Sequence, residues 1–174
     1  MSDNVRVTPW KDGDAAPDEL LAAMKGRRPN GELIRIDRVL LKSFPLSTGW
    51  NELLRRVRAE FSLKLEYREL IMLRVAVLND AEFEWNVHYP AYLDAGGTQS
   101  KTDAIKTPKV DVAMFSEAER ALLRLADQST RTVKVESEVL DALKGFFGES
   151  QTVEAVATVA AYNMVSRFLL ALSV

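Results

Sequence analysis

Apolar positions recur at helical spacing along most of the chain. In WNELLRRVRAEF, Trp50, Leu53, Leu54, Val57 and Phe61 form one apolar stripe. It predicts an amphipathic helix opened by Ser47 or Thr48, with Pro45 ending the segment before it. Ser62 starts the next unit. There Leu70, Ile71, Leu73, Val75, Ala76, Val77 and Leu78 leave a helix apolar nearly all round, as expected of the buried centre of a fold. Asn79-Asp80 breaks it. A further helix, AEFEWNVHYPAYLDA, stops at Gly96-Gly97. Thr98 opens a short helix that ends before Pro108, and Ser116 with Glu119 makes a capping box for SEAERALLRLADQS. Residues 136–146 form another helix before Gly148, and the last runs from Gln151 to Leu172.

The N-terminal part is less regular. Residues 1–13 are expected as a flexible arm. Asp14 is placed to cap a helix reaching Lys25, with Pro17 in its first turn. GRRPNGEL reads as a loop. LIRIDRVLL fits either a strand or a short helix, and nothing else in the chain offers a strand to pair with it. The sum is an all-α fold, a single-domain helical bundle of about seven or eight helices over residues 14–174.

Composition narrows the function. The chain has 174 residues, 47% of them hydrophobic and 28% charged, enough apolar material for a core. Its net charge of -2 lacks the basic excess of a nucleic-acid binder. Arg55, Arg56 and Arg58 cluster, but Glu52 and Glu60 flank them, so a solvated face is expected. No run reaches the roughly 18 consecutive apolar residues of a membrane span, and the polar start lacks a secretion signal. A cytoplasmic protein without nucleic-acid or membrane partners is expected. There is no cysteine, so thiol chemistry on this chain is excluded.

Three residues remain as candidate chemistry. Glu69 is a carboxylate on the most apolar helix, and such a group is costly unless paired or protonated. Glu84 and His88, four apart, share a face of the next helix. A tight antiparallel pair would bring Glu69 to that face. One carboxylate could then set the imidazole tautomer while the other gives or takes a proton. Pro90, two residues on, removes an amide donor and would bend the helix there. The alternatives are an ordinary core histidine, a surface Glu–His pair, and, for Glu69, an ion pair with Arg74 or another arginine. Two Glu and one His could also hold a hard divalent ion, but metal-site spacing and a second histidine are absent. No metal ligand and no cofactor are assigned. Trp85 is a candidate substrate contact, with packing as its alternative, as for Phe83.

The stretch ELIMLRVAVLNDAEFEWNVH, together with IDRVLL, the Trp50 helix and the ending AYNMVSRFLLAL, resembles the carboxymuconolactone decarboxylase family, which shares the alkylhydroperoxidase D fold. The resemblance covers about residues 25–174. It implies an all-helical homo-oligomer, a trimer, hexamer or dimer. The peroxidase branch keeps two cysteines seven and four residues before its histidine, and these positions hold Ala81 and Glu84 here. That branch's glutamate and distal histidine fall on Glu69 and His88, and its second histidine on Phe83. What remains is similar to the decarboxylase branch. The resemblance implies a cofactor-independent enzyme acting on a small lactone or cyclic carboxylic acid, as a decarboxylase, lyase or isomerase. His88 would carry the proton, Glu84 would orient it, and Glu69 would tune the pair. A non-catalytic oligomeric small-molecule binding protein on the same fold and a metal-dependent enzyme using the same cluster are the alternatives.

Overall fold

A computed structural model describes residues 5–107 and 110–174. Among them are eight α-helices, one short 3-10 turn at Val112–Met114, and no strand. The helices are α1 (Asp18–Gly26), α2 (Arg35–Leu40), α3 (Phe44–Ala59), α4 (Leu65–Leu78), α5 (Glu82–Asp94), α6 (Gln99–Ile105), α7 (Glu117–Thr132) and α8 (Ser137–Leu172). LIRIDRVLL is therefore helical, as α2. The packing groups the chain into two compact units. One comprises Met1–Arg56 with Phe168–Val174, the other Val57–Arg167.

The first unit is built on Trp10, Met24, Leu40, Trp50 and Leu54, all buried. Trp50 packs on Phe168 with ring centroids 5.0 Å apart. The first four residues of the expected N-terminal arm lie outside the described residues. Residues 5–13 carry no helix, yet the Trp10 amide donates to the Arg38 carbonyl and the Arg6 amide to the Leu172 carbonyl, both at 2.9 Å. Two helix starts differ from expectation. Asp14 does not cap α1: its carboxylate accepts from the Lys11 amide at 2.9 Å, closing a local turn, and the helix begins after Pro17. Pro45 does not end a helix but sits in the first turn of α3, where its missing N–H would have no partner anyway.

The second unit has α4 at its centre, packed against α5, α6 and α7. Leu70, Ile71, Met72, Leu73 and Val75 are fully buried, which is why the α4 sequence is apolar on every side. Asp80, at φ 53°, turns the chain between α4 and α5. The expected caps at Thr98 and Ser116–Glu119 form as read. Ser62 does not begin α4. Its amide and hydroxyl, with the Leu63 amide, donate to the Glu154 carboxylate at 2.7–3.0 Å. Gly148 takes φ 72° and ψ 176°, a conformation that favours glycine, and bends α8 where the sequence placed a break. By length and composition α8 is apolar enough to cross a membrane, and half of that apolar window is buried inside the protein. At the end of α5 a Cβ on Gly97 would stand 2.3 Å from the Tyr92 ring, so the turn into α6 closes directly onto that ring.

Candidate functional site

Helix α5 is amphipathic in the wrong sense. Its buried residues are Glu84, His88 and Tyr92, one helical turn apart, while Phe83 and Val87 are exposed. Burying carboxylate and imidazole while leaving phenylalanine and valine in solvent costs free energy. The polar face exists because α4 presents Glu69 to it. Glu69, Glu84 and His88 are 4%, 3% and 5% exposed.

The three groups meet as the sequence expected. Glu69 Oε2 lies 2.7 Å from His88 Nδ1 and Glu84 Oε2 lies 3.5 Å from His88 Nε2. The first contact is a hydrogen bond from the imidazole to the carboxylate, so a proton resides on Nδ1 in the neutral ring. The second is not: both Nε2 and Glu84 Oε2 are buried without a hydrogen-bond partner. Burial alone would push the His88 pKa down. The bond to Glu69 and the nearby Glu84 carboxylate outweigh it, so the pKa is raised and the imidazolium is favoured.

Two residues complete the surroundings. Tyr162 of α8 sets its ring edge-on to His88, with centroids 4.9 Å apart at 80°. Arg58, in the last turn of α3, donates from Nε to the Tyr162 hydroxyl at 2.9 Å and lies over the same ring. Burial pushes the Tyr162 pKa up, so the phenol stays protonated. Arg68, the neighbour of Glu69, donates from one terminal nitrogen to the carbonyls of Val57 and Arg58, both at 2.7 Å. The contacts thus close a ring through Arg68, Arg58, Tyr162, His88 and Glu69.

Sequence reasoning missed Arg58 and Tyr162. Arg55 and Arg56 do pair with Glu52 on a solvated face, but Arg58 turns inward. Tyr162 could have been noticed as the polar-tipped member of the otherwise apolar stripe Val159, Tyr162, Val165 and Leu169. Trp85 is not brought to the cluster. It stacks on Tyr89, lies under the Lys106 ammonium at 4.8 Å, and lines a separate cavity of about 470 Å³ with Ala81, Glu82 and Asn86. A second cavity, of about 520 Å³, lies against α8 at Leu140, Val153 and Val156. Neither is lined by Glu69, Glu84 or His88.

The arrangement is poor for a metal, because the carboxylates approach opposite nitrogens of one imidazole rather than a common point. Among the described residues no group of three ligating side chains is placed to hold an ion. The arrangement can hold one ring nitrogen by Nδ1–H and leave the other to exchange a proton.

Residues 45–128 match the model of the carboxymuconolactone decarboxylase family. No curated protein matches the chain. Solved structures share the fold. An uncharacterized peroxidase-related protein from Silicibacter sp. TM1040 has a TM-score of 0.81 at 16% identity, over 99% of this chain and 91% of that one. The debrominase Bmp8, solved as a cysteine-to-alanine variant in complex with 2,3,4-tribromopyrrole, has a TM-score of 0.74 at 21% identity, over 99% of this chain and 92% of that one. A protein of unknown function from Agrobacterium tumefaciens, described as a candidate antioxidant defence protein AhpD, has a TM-score of 0.70 at 19% identity, over 80% of this chain and 94% of that one. Over residues 45–128 this cysteine-free chain is similar to the carboxymuconolactone decarboxylase family, and its all-α fold is alkylhydroperoxidase D-like.

Proposed function

We propose that this protein is a cofactor-independent acid–base enzyme acting on a small lactone or cyclic carboxylic acid, by decarboxylation or by isomerisation. The observation that carries the reading is the buried imidazole with Nδ1 bonded to Glu69 and Nε2 left without a partner beside Glu84. In a decarboxylation the bond to the carboxyl carbon breaks, carbon dioxide leaves, and its electron pair stays on the ring as a dienolate. A carbon of that dienolate takes the proton from His88 Nε2, and water returns a proton to the ring. In an isomerisation Nε2 removes a proton from one carbon and returns it to another. Glu69 fixes the tautomer in both cases, and Glu84 holds Nε2 near the charge state the step needs. The whole chain lacks cysteine, so thiol peroxidase chemistry is not part of the reading. A homo-oligomeric, cytoplasmic enzyme remains part of the proposal; the exposed Phe83 and Val87 on α5 support an assembly surface.

The test is solvent exchange. Unsaturated five-ring lactone acids incubated with the protein in deuterium oxide should gain deuterium on carbon, read by NMR, with carbon dioxide release followed in parallel. His88→Gln should lower both by about 10²–10⁴-fold while the fold persists. Full activity in that variant overturns the proposal.

A second reading is a non-catalytic small-molecule binding protein on the same scaffold. It is favoured by the cluster being buried and lining neither of the two cavities described above. It requires binding without exchange, measurable by calorimetry.

A further inference from the structure

The cluster holds two carboxylates, and an acidic substrate brought to them would meet like charge unless a cation stands nearby. Most arginines of the second unit are committed elsewhere. Arg74 is fully buried, with Asp127 and the carbonyls of Ile105 and Thr107 as its partners. Arg68 is buried with one terminal nitrogen on two carbonyls. Arg58 is different. It is half-buried, and its Nε is taken by the Tyr162 hydroxyl. Among the described residues it has no carboxylate within ion-pair distance, and its terminal nitrogens are not among the buried atoms that lack partners. Its charge nonetheless acts on Glu84 and Glu69, so it stands within electrostatic reach of the cluster. Its backbone carbonyl accepts from Arg68, its Nε donates to the Tyr162 hydroxyl and its guanidinium carbon lies over the Tyr162 ring at 5.8 Å, so the fork is held in direction before any ligand arrives.

Resting on the acid–base reading, we infer that Arg58 receives the carboxylate of the small acid, and that Tyr162 is the positioning residue that holds Arg58 beside His88. The two terminal nitrogens offer the parallel donors that a carboxylate accepts, a geometry lysine cannot reproduce. Tyr162 touches both the arginine and the imidazole, so a carboxylate placed on Arg58 is held at a fixed offset from the proton-carrying ring.

The experiment uses 2-furoate, a planar five-ring carboxylate, and its neutral counterpart 2-furamide, titrated into the full-length protein by calorimetry. Furoate should bind the wild type at least about tenfold tighter than furamide, the factor expected of one charge-assisted contact. Arg58→Gln should bring furoate down to the furamide affinity, and Arg58→Lys should fall between. Tyr162→Phe should weaken furoate a few-fold and, in the separate deuterium-exchange assay on lactone acids, raise KM more than it lowers kcat. Equal binding of furoate and furamide by the wild type, absence of furoate binding, or wild-type furoate affinity in both Arg58 variants would overturn the inference. Because this readout is binding, it stands apart from the exchange experiment: loss of the arginine effect with exchange intact removes only Arg58, and absence of exchange with the arginine effect intact removes only the acid–base chemistry.

Discussion

Helix α4 carries two buried ionic sites on one rod, and they are finished to different degrees. At Arg74 the guanidinium meets Asp127 at 2.6 and 3.0 Å, the Ile105 carbonyl at 2.7 Å and the Thr107 carbonyl at 2.9 Å. At Glu69 the partner is an imidazole whose far nitrogen faces a second carboxylate, with no hydrogen bond between them. Both sites carry the desolvation cost of buried charge. Only at the first does every side-chain nitrogen of the buried group have a hydrogen-bond partner. A buried ionic group whose nitrogens are all bonded is what stability requires, and a group left with matching but unjoined atoms is what proton exchange requires. The pairing of Glu69 with Arg74, open from the sequence, is thereby excluded, since each has its own partner elsewhere.

The comparison can be broken at either end, and the largest effect is expected at the finished site. Arg74→Ala strands Asp127 and two carbonyls, and should cost about 3 kcal/mol or more of unfolding free energy in urea melts. His88→Gln, at the unfinished site, should lower turnover by about 10²–10⁴-fold. Its amide can still donate to Glu69, so stability should change by no more than about 1 kcal/mol. If the histidine variant proves as destabilised as the arginine variant, the two sites are alike and the distinction fails. Glu84→Gln should be milder. We expect about a tenfold loss of rate, less than about 1 kcal/mol of stability, and a pH–rate limb for His88 displaced to lower pH, because one anion that raises its pKa is gone. An unmoved limb would show that Glu84 does not tune the ring.

The smallest effect is in stability against pH. The folded pKa of His88 lies above its unfolded value of about 6.5, so its contribution is fully present below that pH. It should be lost as pH rises from about 6.5 through the raised pKa. Thermal melts from pH 5 to 9 should show this loss in the wild type and not in His88→Gln.

The elements were legible where periodicity and side-chain capping set them. The apolar α4, the Ser116–Glu119 box, the Asn79-Asp80 break and the Gly148 bend all follow from local chemistry. The misplaced starts of α1 and α3 had local competitors: an Asp14 carboxylate satisfied three residues back, and a proline that opens a helix as readily as it ends one. Within the site, Glu69, Glu84 and His88 could be read because one turn and one helix hairpin bring them together. Arg58 and Tyr162 could not, because they arrive from α3 and α8 and their relevance depends on tertiary packing. The basic run Arg55, Arg56 and Arg58 shows the limit well: three similar neighbours in sequence, two of them matched to Glu52 in solvent and one turned to the Tyr162 hydroxyl.

Gly97 bears on all of this from a distance. Its bare Cα rests on the Tyr92 ring with no clearance for even a methyl group, and Tyr92 is the next buried residue after His88 on the same stripe of α5. The turn therefore acts as a hard stop at one end of that helix. Any side chain at position 97 must displace the ring, and α5 would have to slide or rotate to make room. For anyone re-engineering this scaffold toward a new substrate, the loop after α5 is a machining tolerance: it can be altered around Gly97, but not at it, if the imidazole one turn back from Tyr92 is to keep its register with Glu69.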